Sequence, residues 1–265
     1  MINWPKNRNS KKNAIVLVST DFGPMMVNRF DYHASPNGIY GVGFNLLETS
    51  SFDSAEINTM LELLTSLRTT RGDGVVMVDG GANIGVHALS AGRLMNGWGS
   101  VISIEAQERI YYMTCGNVAL NNLFNVRVLW AALDEKCGTI DIPIPDYFRP
   151  SSFGSLELNY SDKSEFIGQQ ISLSNKQSVN AITIDSLKLS RLDFFKLDVE
   201  SMEEKVLLGA KETLLRCKPI IHLEQLKSDS QKLIELLTSL EYNLYNMGPN
   251  LLCIHKQDTI SIRFE

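Results

Sequence analysis

The 265-residue sequence lacks the features typical of membrane, secreted or nucleic-acid-binding proteins. No apolar run is long enough for a signal peptide or a membrane span. A formal net charge of −5 provides no overall field that would attract a polyanion. The four cysteines form no C-x-x-C pair and no zinc-ligand spacing with a histidine. These absences predict a cytoplasmic protein with reduced thiols, no membrane span and no preference for nucleic acid.

Two common phosphate-binding signatures are missing as well. The segment from Gly80 to Gly85 has the glycine spacing of a phosphate loop, but Val86-His87 stands where that loop needs Lys-Ser/Thr. The segment also does not spell G-x-G-x-x-G, the pyrophosphate-binding sequence that an NAD-dependent oxidoreductase would need. The sequence therefore counts against a phosphate loop and against an NAD-dependent oxidoreductase.

Short apolar runs alternate with helical stretches from Val75 onward, as in a parallel sheet that is covered by helices on both faces. The runs begin at residues 75, 101, 126, 194, 220, 242 and 251. Predicted helices cover residues 85–95, 108–122, 203–217 and 229–240. No helix separates the last two runs, which predicts an antiparallel hairpin at the sheet edge. The sequence thus predicts an α/β fold with a Rossmann-like, doubly wound, mostly parallel sheet of seven strands.

Two segments depart from this alternation. Residues 1–74 predict a small N-terminal appendage: a solvated arm, short strands and one amphipathic helix that begins at Ser54 and ends before Gly72. Residues 138–185 contain three prolines and only short apolar stretches, and they are too long for a plain connection. They predict a strand-rich insertion or active-site flap within a domain that extends over residues 75–265.

The turn from Asp79 to Gly85 joins the first strand of the predicted sheet to a helix. Its glycines permit a sharp turn and let backbone amides approach a ligand at the helix N-terminus. The Asp79 carboxylate suits a ligand ammonium, and the amides suit a ligand carboxylate. The turn therefore favours an amino-acid ligand such as S-adenosylmethionine over a pyrophosphate, although an ordinary strand-to-helix connection would also fit the pattern.

The second strand of the predicted sheet ends in another carboxylate, Glu105. A carboxylate at this point lies beside the crevice of the first strand and can accept both hydroxyls of an adenosine ribose. The structural alternative is a cap for the helix that begins near Glu108. Asp79 suits an amino-acid group and Glu105 suits a ribose, so the two strand ends together favour a nucleoside that carries an amino-acid group.

These strand ends and several later segments resemble the FkbM-like methyltransferases. The family's Asp-x-Gly-Ala-Asn-Ile-Gly and Glu-Pro correspond to residues 79–85 and to Glu105-Ala106. The other matching segments are Asn117 with Leu120 and Asn121, residues 131–133 with Gly138, residues 184–187 and 193–200, Leu207 with Gly209-Ala210, and residues 219–224. The resemblance extends over residues 75–226 in the family's order, which makes it more specific than any single motif.

The resemblance implies S-adenosylmethionine as the cofactor. The residues predicted to bind it are Asp79, Gly80, Gly81, Ala82, Asn83, Gly85, Glu105, Ala106, Asn121 and Ala132. Two positions depart from the family: Ala106 replaces its proline, and Ser201-Met202 replaces its Gly-Ala. The second departure reshapes the acceptor pocket, so the acceptor is what the resemblance specifies least.

Four residues at later strand ends are the candidates for catalysis. Asp198 and Glu200 point to the same side of an extended chain and can orient a hydroxyl, act as a general base, or bind a divalent cation through Asp198. His222 and Glu224 alternate on one face of the next strand and can take a proton from a hydroxyl. The structural alternatives are helix capping for the carboxylates and a backbone-bonded core position for His222. His87 is expected to have a packing or capping role.

Together these residues predict an S-adenosylmethionine-dependent O-methyltransferase that acts on a sugar, a polyketide or another small hydroxylated molecule. The carboxylates suit an oxygen acceptor, and the resemblance implies the same acceptor chemistry. Two alternatives remain open at this point: an N-methyltransferase, and a non-catalytic module that binds S-adenosylmethionine and docks partners through residues 138–185.

Overall fold

The computed structural model describes residues 13–36, 38–161, 164–225 and 230–258. The predicted N-terminal arm lies outside these ranges apart from Asn13, as does the first residue of the helix predicted over 229–240. In the part of the chain that the structure describes, no helix is both long enough and apolar enough to cross a membrane.

The N-terminal region forms two hairpins and two helices. Strands β1 (Ile15–Thr20) and β2 (Gly23–Asn28) pair antiparallel, as do β3 (His33–Ser35) and β4 (Gly38–Tyr40). The helices are α1 (Val42–Thr49) and α2 (Ser54–Arg71). The sequence pattern predicted α2 but missed α1, because α1 is short, starts among glycines and has no capping side chain.

From Val75 onward the chain alternates strands and helices, as predicted. The elements are β5 (Val75–Gly80), α3 (Val86–Leu94), β6 (Gly99–Glu105), α4 (Glu108–Leu120), β7 (Val126–Trp130), β8 (Ala132–Leu133), β9 (Gly138–Pro143), β10 (Lys176–Ile182), β11 (Phe194–Leu197), α5 (Glu203–Leu208), α6 (Lys211–Cys217), β12 (Ile220–Glu224), α7 (Ser230–Ser239), β13 (Tyr242–Met247) and β14 (Asn250–His255). Seven of these strands form one sheet in the order β13-β14-β12-β11-β5-β6-β7. Strand β14 runs antiparallel to both of its neighbours, and the other pairs that involve β12, β11, β5, β6 and β7 are parallel. The predicted doubly wound fold with its terminal hairpin is confirmed.

The helix predicted over residues 203–217 is in fact two helices, α5 and α6. The chain breaks at Gly209, where an added Cβ would lie 2.4 Å from the carbonyl oxygen of Asp134. The Asp185 carboxylate then accepts hydrogen bonds from the amides of Glu212 (3.0 Å) and Thr213 (2.7 Å) at the start of α6. A capping carboxylate from a distant segment thus starts a new helix, which local periodicity does not reveal.

Residues 138–185 contain the strands β9 and β10, which pair antiparallel, and β10 also pairs in parallel with β8. The connection between β9 and β10 is fastened to the N-terminal region. The Ser151 amide donates to the carbonyl oxygen of Phe30, and the Phe153 amide donates to the Asp31 carboxylate, both at 3.0 Å. Two distant parts of the chain therefore meet beside the main sheet.

The core has one large hydrophobic cluster on each face of the main sheet. On one face, Leu64 of α2 and Leu89 of α3 belong to the same cluster as Met77 of β5 and as Met25 of the N-terminal hairpin. The opposite face is covered by α5, α6 and α7. The N-terminal region is thus continuous with the core on one face of the main sheet.

Candidate functional site

Two adjoining cavities open at the carboxyl ends of the parallel strands, where a doubly wound sheet binds its ligands. Cavity 1 encloses about 540 Å³ of empty space, and cavity 2, which is wider, encloses about 1270 Å³. Their shared wall consists of Gly81, Asn83, Gly154, Asp198 and Glu200. Two ligands bound in these cavities would meet at that wall.

The turn after β5 forms part of this wall by coming very close to the neighbouring strand end. Gly81 has φ +77°, and a Cβ there would lie 1.8 Å from the carbonyl oxygen of Asp198. Only glycine fits this position. The amides of Gly81 and Ala82 both donate to the carbonyl oxygen of Ile104 at 3.0 Å, so these two do not form the carboxylate cradle that the sequence suggested. Helix N-termini leave their first amides without intrahelical partners, and α3 begins at Val86 on the wall of cavity 2.

Asp79 lies fully buried beneath the turn. Neither of its carboxylate oxygens has a hydrogen-bond partner among the described residues. In the sheet it stands in register with Ser103 on one side and Lys196 on the other. Burial raises the pKa of its carboxyl, and Lys196 opposes that rise. A buried carboxylate without hydrogen bonds is costly. Asp79 lines neither cavity, so it would act on a ligand ammonium through its charge from beneath the turn.

Glu105 lies on the wall of cavity 1 and is anchored by backbone. Its Oε2 accepts the Asn83 amide at 3.0 Å, and its Oε1 accepts the Gln107 amide at 2.8 Å. Each carboxylate oxygen has a further lone pair, so Glu105 can still accept two ligand hydroxyls. Burial raises its pKa to about 7. Gln107 is the N-cap residue of α4, so Glu105 also holds the start of that helix, as the capping alternative expected.

The rest of cavity 1 is largely apolar. Its lining includes Ile104, Ala106, Ala131, Leu133, Leu156 and Leu158. The last two residues belong to the insertion, which therefore supplies part of the cavity wall. An apolar slot beside a buried carboxylate has the chemistry that an adenosine group needs.

Cavity 2 brings together all four residues predicted to be catalytic, Asp198, Glu200, His222 and Glu224. Asp198, Glu200 and Glu224 each offer one oxygen, and these oxygens lie within 4.8 Å of one another. Asp198 is already paired with Lys196, whose Nζ lies 3.2 Å from its Oδ2. The predicted cation at Asp198 therefore gains no support from this cluster.

Lys196 is a buried cation that the sequence analysis missed. Burial by itself would lower its pKa, but the carboxylates of Asp198, Asp79 and Glu56 outweigh burial and raise it. The lysine therefore stays charged under the shared wall. A lysine inside the otherwise apolar strand Phe194–Leu197 was the signal that could have identified it, since buried lysines are rare unless paired.

Glu56 of α2 is a second residue that was missed. Its Oε1 lies 3.0 Å from Nε2 of His87 and 3.6 Å from Nδ1 of His222, and its Oε2 accepts a hydrogen bond from Nδ2 of Asn250 at 2.8 Å. Burial opposes ionisation of Glu56, but His87, Lys196 and His222 hold its pKa down to about 2. The sequence analysis noted Glu56 only as the acidic residue in the first turn of an amphipathic helix.

His87 and His222 both line cavity 2. Burial lowers the pKa of His222 to about 4 in spite of Glu56, so its imidazole is neutral at neutral pH. His87 is buried in the first turn of α3, and its Nε2 also lies 3.0 Å from the Glu56 carboxylate.

Two residues predicted to bind the cofactor lie elsewhere. Asn121 follows the C-terminal end of α4, where its Nδ2 donates to the carbonyl oxygen of Pro24 and its Oδ1 accepts from Arg93. These bonds hold the N-terminal hairpin against α4. Asn121 is remote from the carboxyl edge of the sheet because it lies at the far end of a 13-residue helix that begins there. Ala132 is buried in a small apolar cluster, and its neighbour Ala131 forms the cavity wall, since successive residues in extended chain point to opposite sides.

Two glycines of the turn that were predicted to bind the cofactor, Gly80 and Gly85, line neither cavity. A Cβ on Gly85 would lie 2.9 Å from Cγ2 of Thr114 in α4, and one on Gly80 would lie 2.8 Å from Cδ1 of Leu133. These glycines permit close packing around the turn that carries Gly81.

Comparison with known proteins yields one family. The family model described as the methyltransferase FkbM domain matches residues 79–245, which is more than half of the chain. No curated protein sequence matches. Solved structures that resemble the chain include a methyltransferase FkbM from Methylobacillus flagellatus (20% identity, TM-score 0.46, covering 69% of this chain and 44% of that one). They also include a precorrin-6y C5,15-methyltransferase from Geobacter metallireducens (14% identity, TM-score 0.46, covering 78% and 90%). This chain thus spans less than half of the Methylobacillus protein.

Proposed function

Because the chain belongs to the FkbM methyltransferase family, and is therefore an S-adenosylmethionine-dependent methyltransferase, we propose that it methylates a hydroxyl group of a small molecule or glycan. The observation that carries this proposal is the junction of two cavities at Asp198 and Glu200. One cavity fits the methyl donor, and the other presents proton acceptors to an acceptor molecule.

On the donor side, Glu105 would hold the two ribose hydroxyls of S-adenosylmethionine, and the charge of Asp79 would balance its ammonium group. Bound S-adenosylmethionine supplies an electrophilic methyl group to the acceptor. Leu133 and Leu156 keep water from the base-binding slot of cavity 1. These residues contribute by positioning, which is the main requirement of a displacement between two bound reactants.

On the acceptor side, a hydroxyl must be oriented and must lose its proton. His222 is neutral at neutral pH because burial lowers its pKa to about 4, and it therefore has a lone pair for that proton. Asp198, Glu200 and Glu224 offer hydrogen-bond acceptors to further hydroxyls of a sugar or polyketide. Tyr40 of the N-terminal region lies on the same wall.

Calorimetry with S-adenosylhomocysteine tests the donor side. We expect binding to the wild-type protein, and we expect it to be lost in Asp79→Ala and Glu105→Ala. Binding of NAD in place of S-adenosylhomocysteine would contradict the proposal.

Transfer of a labelled methyl group from S-adenosylmethionine to panels of glycans, polyketides, amines and small hydroxylated metabolites tests the acceptor side. Label on hydroxyl oxygens supports the proposal, and label on nitrogen only would overturn it. Binding of S-adenosylhomocysteine without transfer to any panel member would favour a non-catalytic module. The divalent cation at Asp198 stays a prediction, and it fails if a chelator leaves the transfer rate unchanged.

A further inference from the structure

The Glu56 carboxylate contacts residues of three other elements, and all three residues line cavity 2. Its Oε1 contacts the imidazoles of His87 on α3 and His222 on β12, while its Oε2 is held by Asn250 on β14. With a partner for each oxygen, the carboxylate has a fixed orientation. It is also ionised, because the surrounding cations and imidazoles hold its pKa at about 2.

We propose that Glu56 is a positioning residue that fixes His222 as the proton acceptor of the methyl transfer, by accepting the Nδ1 proton so that Nε2 carries the lone pair. This inference rests on the proposed function, since it assigns a proton acceptor to the acceptor cavity. It also adds a residue from outside the segment that matches the family, which begins at residue 79.

The tautomer argument follows from the two nitrogens of the ring. In a neutral imidazole one nitrogen carries the proton and the other carries the lone pair, and the hydrogen bond made by one decides the state of the other. A carboxylate can only accept, so the nitrogen that faces Glu56 must be the donor. For His222 that nitrogen is Nδ1, which lies 3.6 Å from Oε1 and thus just beyond hydrogen-bond distance in this structure. Contacts of this kind are often loose before the substrate binds and shorten in the complex.

The groups around His222 favour this arrangement. Lys196 stands in register with it on β11, and its positive charge disfavours an imidazolium, as does the neighbouring His87. Glu56 and Asp198 act in the opposite direction. Loss of Glu56 would remove the partner that orients the His222 ring. Of the charged residues named here, Lys196 would still lower the pKa of His222 and Asp198 would still raise it.

The same oxygen of Glu56 also lies 3.0 Å from Nε2 of His87. The contact has the distance of a hydrogen bond but not its geometry, and a carboxylate beside Nε2 favours the tautomer of His87 that is protonated on Nε2. The two histidines are therefore expected to have opposite tautomers, and that difference can be measured.

The test is imidazole ¹⁵N NMR of the full-length chain at neutral pH, with each histidine assigned by single substitution. The sequence has four histidines, His33, His87, His222 and His255, so the spectrum is simple. We expect the Nδ1–H tautomer at His222 and the Nε2–H tautomer at His87. In Glu56→Gln the carboxamide can also donate, and we expect the Nδ1–H population at His222 to fall by at least half.

Glu62→Gln is the matched control, because Glu62 lies on the same helix but is exposed. It should leave both tautomers unchanged. Glu56→Asp keeps the charge, and it should retain the Nδ1–H tautomer in part. If Glu56→Gln is misfolded, the wild-type spectrum alone still decides, because an Nε2–H tautomer at His222 would overturn the inference.

The failure of this inference is distinguishable from failure of the proposed function. Absence of S-adenosylhomocysteine binding to the wild-type protein would overturn the proposed function. The histidine tautomers would not be affected, because NMR measures them independently. Normal S-adenosylhomocysteine binding with an unchanged His222 tautomer in Glu56→Gln would overturn this inference alone. With an acceptor in hand, Glu56→Gln should lower kcat at least tenfold and leave the KM for S-adenosylmethionine unchanged.

Discussion

The carboxylate of Asp31 accepts a hydrogen bond from the backbone amide of Phe153, which lies 122 residues further along the chain. Its second oxygen accepts from the amide of Gly43 at 2.9 Å. One buried side chain thus connects the N-terminal region, helix α1 and the insertion that covers cavity 1. Burial raises its pKa to about 6, although the two amide hydrogen bonds oppose that rise.

The first prediction concerns stability as a function of pH. Between pH 4 and pH 6 the folded protein retains the Asp31 proton that the unfolded chain releases, so the stability contribution of Asp31 is complete at low pH and is lost as the pH rises through about 6. Two pKa units correspond to about 3 kcal/mol. Urea unfolding across this range should show that loss for the wild-type protein but not for Asp31→Asn. The exposed Asp21→Asn is the control and should retain the wild-type dependence.

The second prediction concerns the close approach at Gly81. A methyl group on this residue cannot fit 1.8 Å from the Asp198 carbonyl oxygen, so Gly81→Ala must displace the shared wall. We expect S-adenosylhomocysteine binding to weaken at least tenfold by calorimetry. Gly97→Ala is the matched control, because Gly97 also has a positive φ (+82°) but nothing lies within 4 Å of its Cβ position. It should lose about 1 kcal/mol of stability and bind normally; equal binding by both variants would be the contrary result.

The third prediction concerns the pH dependence of donor binding. The pKa of Glu105 is raised to about 7, so the carboxyl gains a proton as the pH falls below that value and becomes a poorer acceptor for ribose hydroxyls. The Kd for S-adenosylhomocysteine should therefore rise several-fold from pH 8 to pH 6. Glu105→Gln should bind about 10- to 100-fold more weakly, as expected for a lost hydrogen bond to a charged group, and should lack this pH dependence. A wild-type Kd that does not change over this range would exclude the role given to Glu105.

The fourth prediction concerns the buried charges of Asp79 and Lys196. Lys196→Met leaves Asp79 and Asp198 without their cation and should cost about 3 kcal/mol of unfolding free energy. Adding Asp79→Asn to that variant should recover more than 1 kcal/mol, since the two residues are neighbours in register. The double-mutant cycle is measured by urea unfolding. Additive losses would mean that the two charges do not interact.

The seven-stranded sheet was predictable because each strand is a short apolar run separated from the next by a helix or a tight hairpin. Helix α1 and the break at Gly209 were not, since both depend on contacts with distant residues. Within the site, residues 79–83, Glu105 and the strand ends at 198–200 and 222–224 follow directly from the sheet topology, because carboxyl ends of parallel strands share one edge. Glu56 was missed because its partners lie on three other elements, and sequence spacing carries no information on them.

The separate origin of the two cavity walls has a consequence for how such an enzyme diverges. Among the described residues, those that line cavity 1 fall between Gly81 and Glu200, whereas cavity 2 also includes Tyr40, Phe52 and Asp53, which precede the segment that matches the family. Under the proposed function, changes at these three residues would alter the acceptor side and leave the donor side as it is. Exchanging residues 40–53 between relatives would then be a direct route to new acceptor specificities on an unchanged donor-binding scaffold.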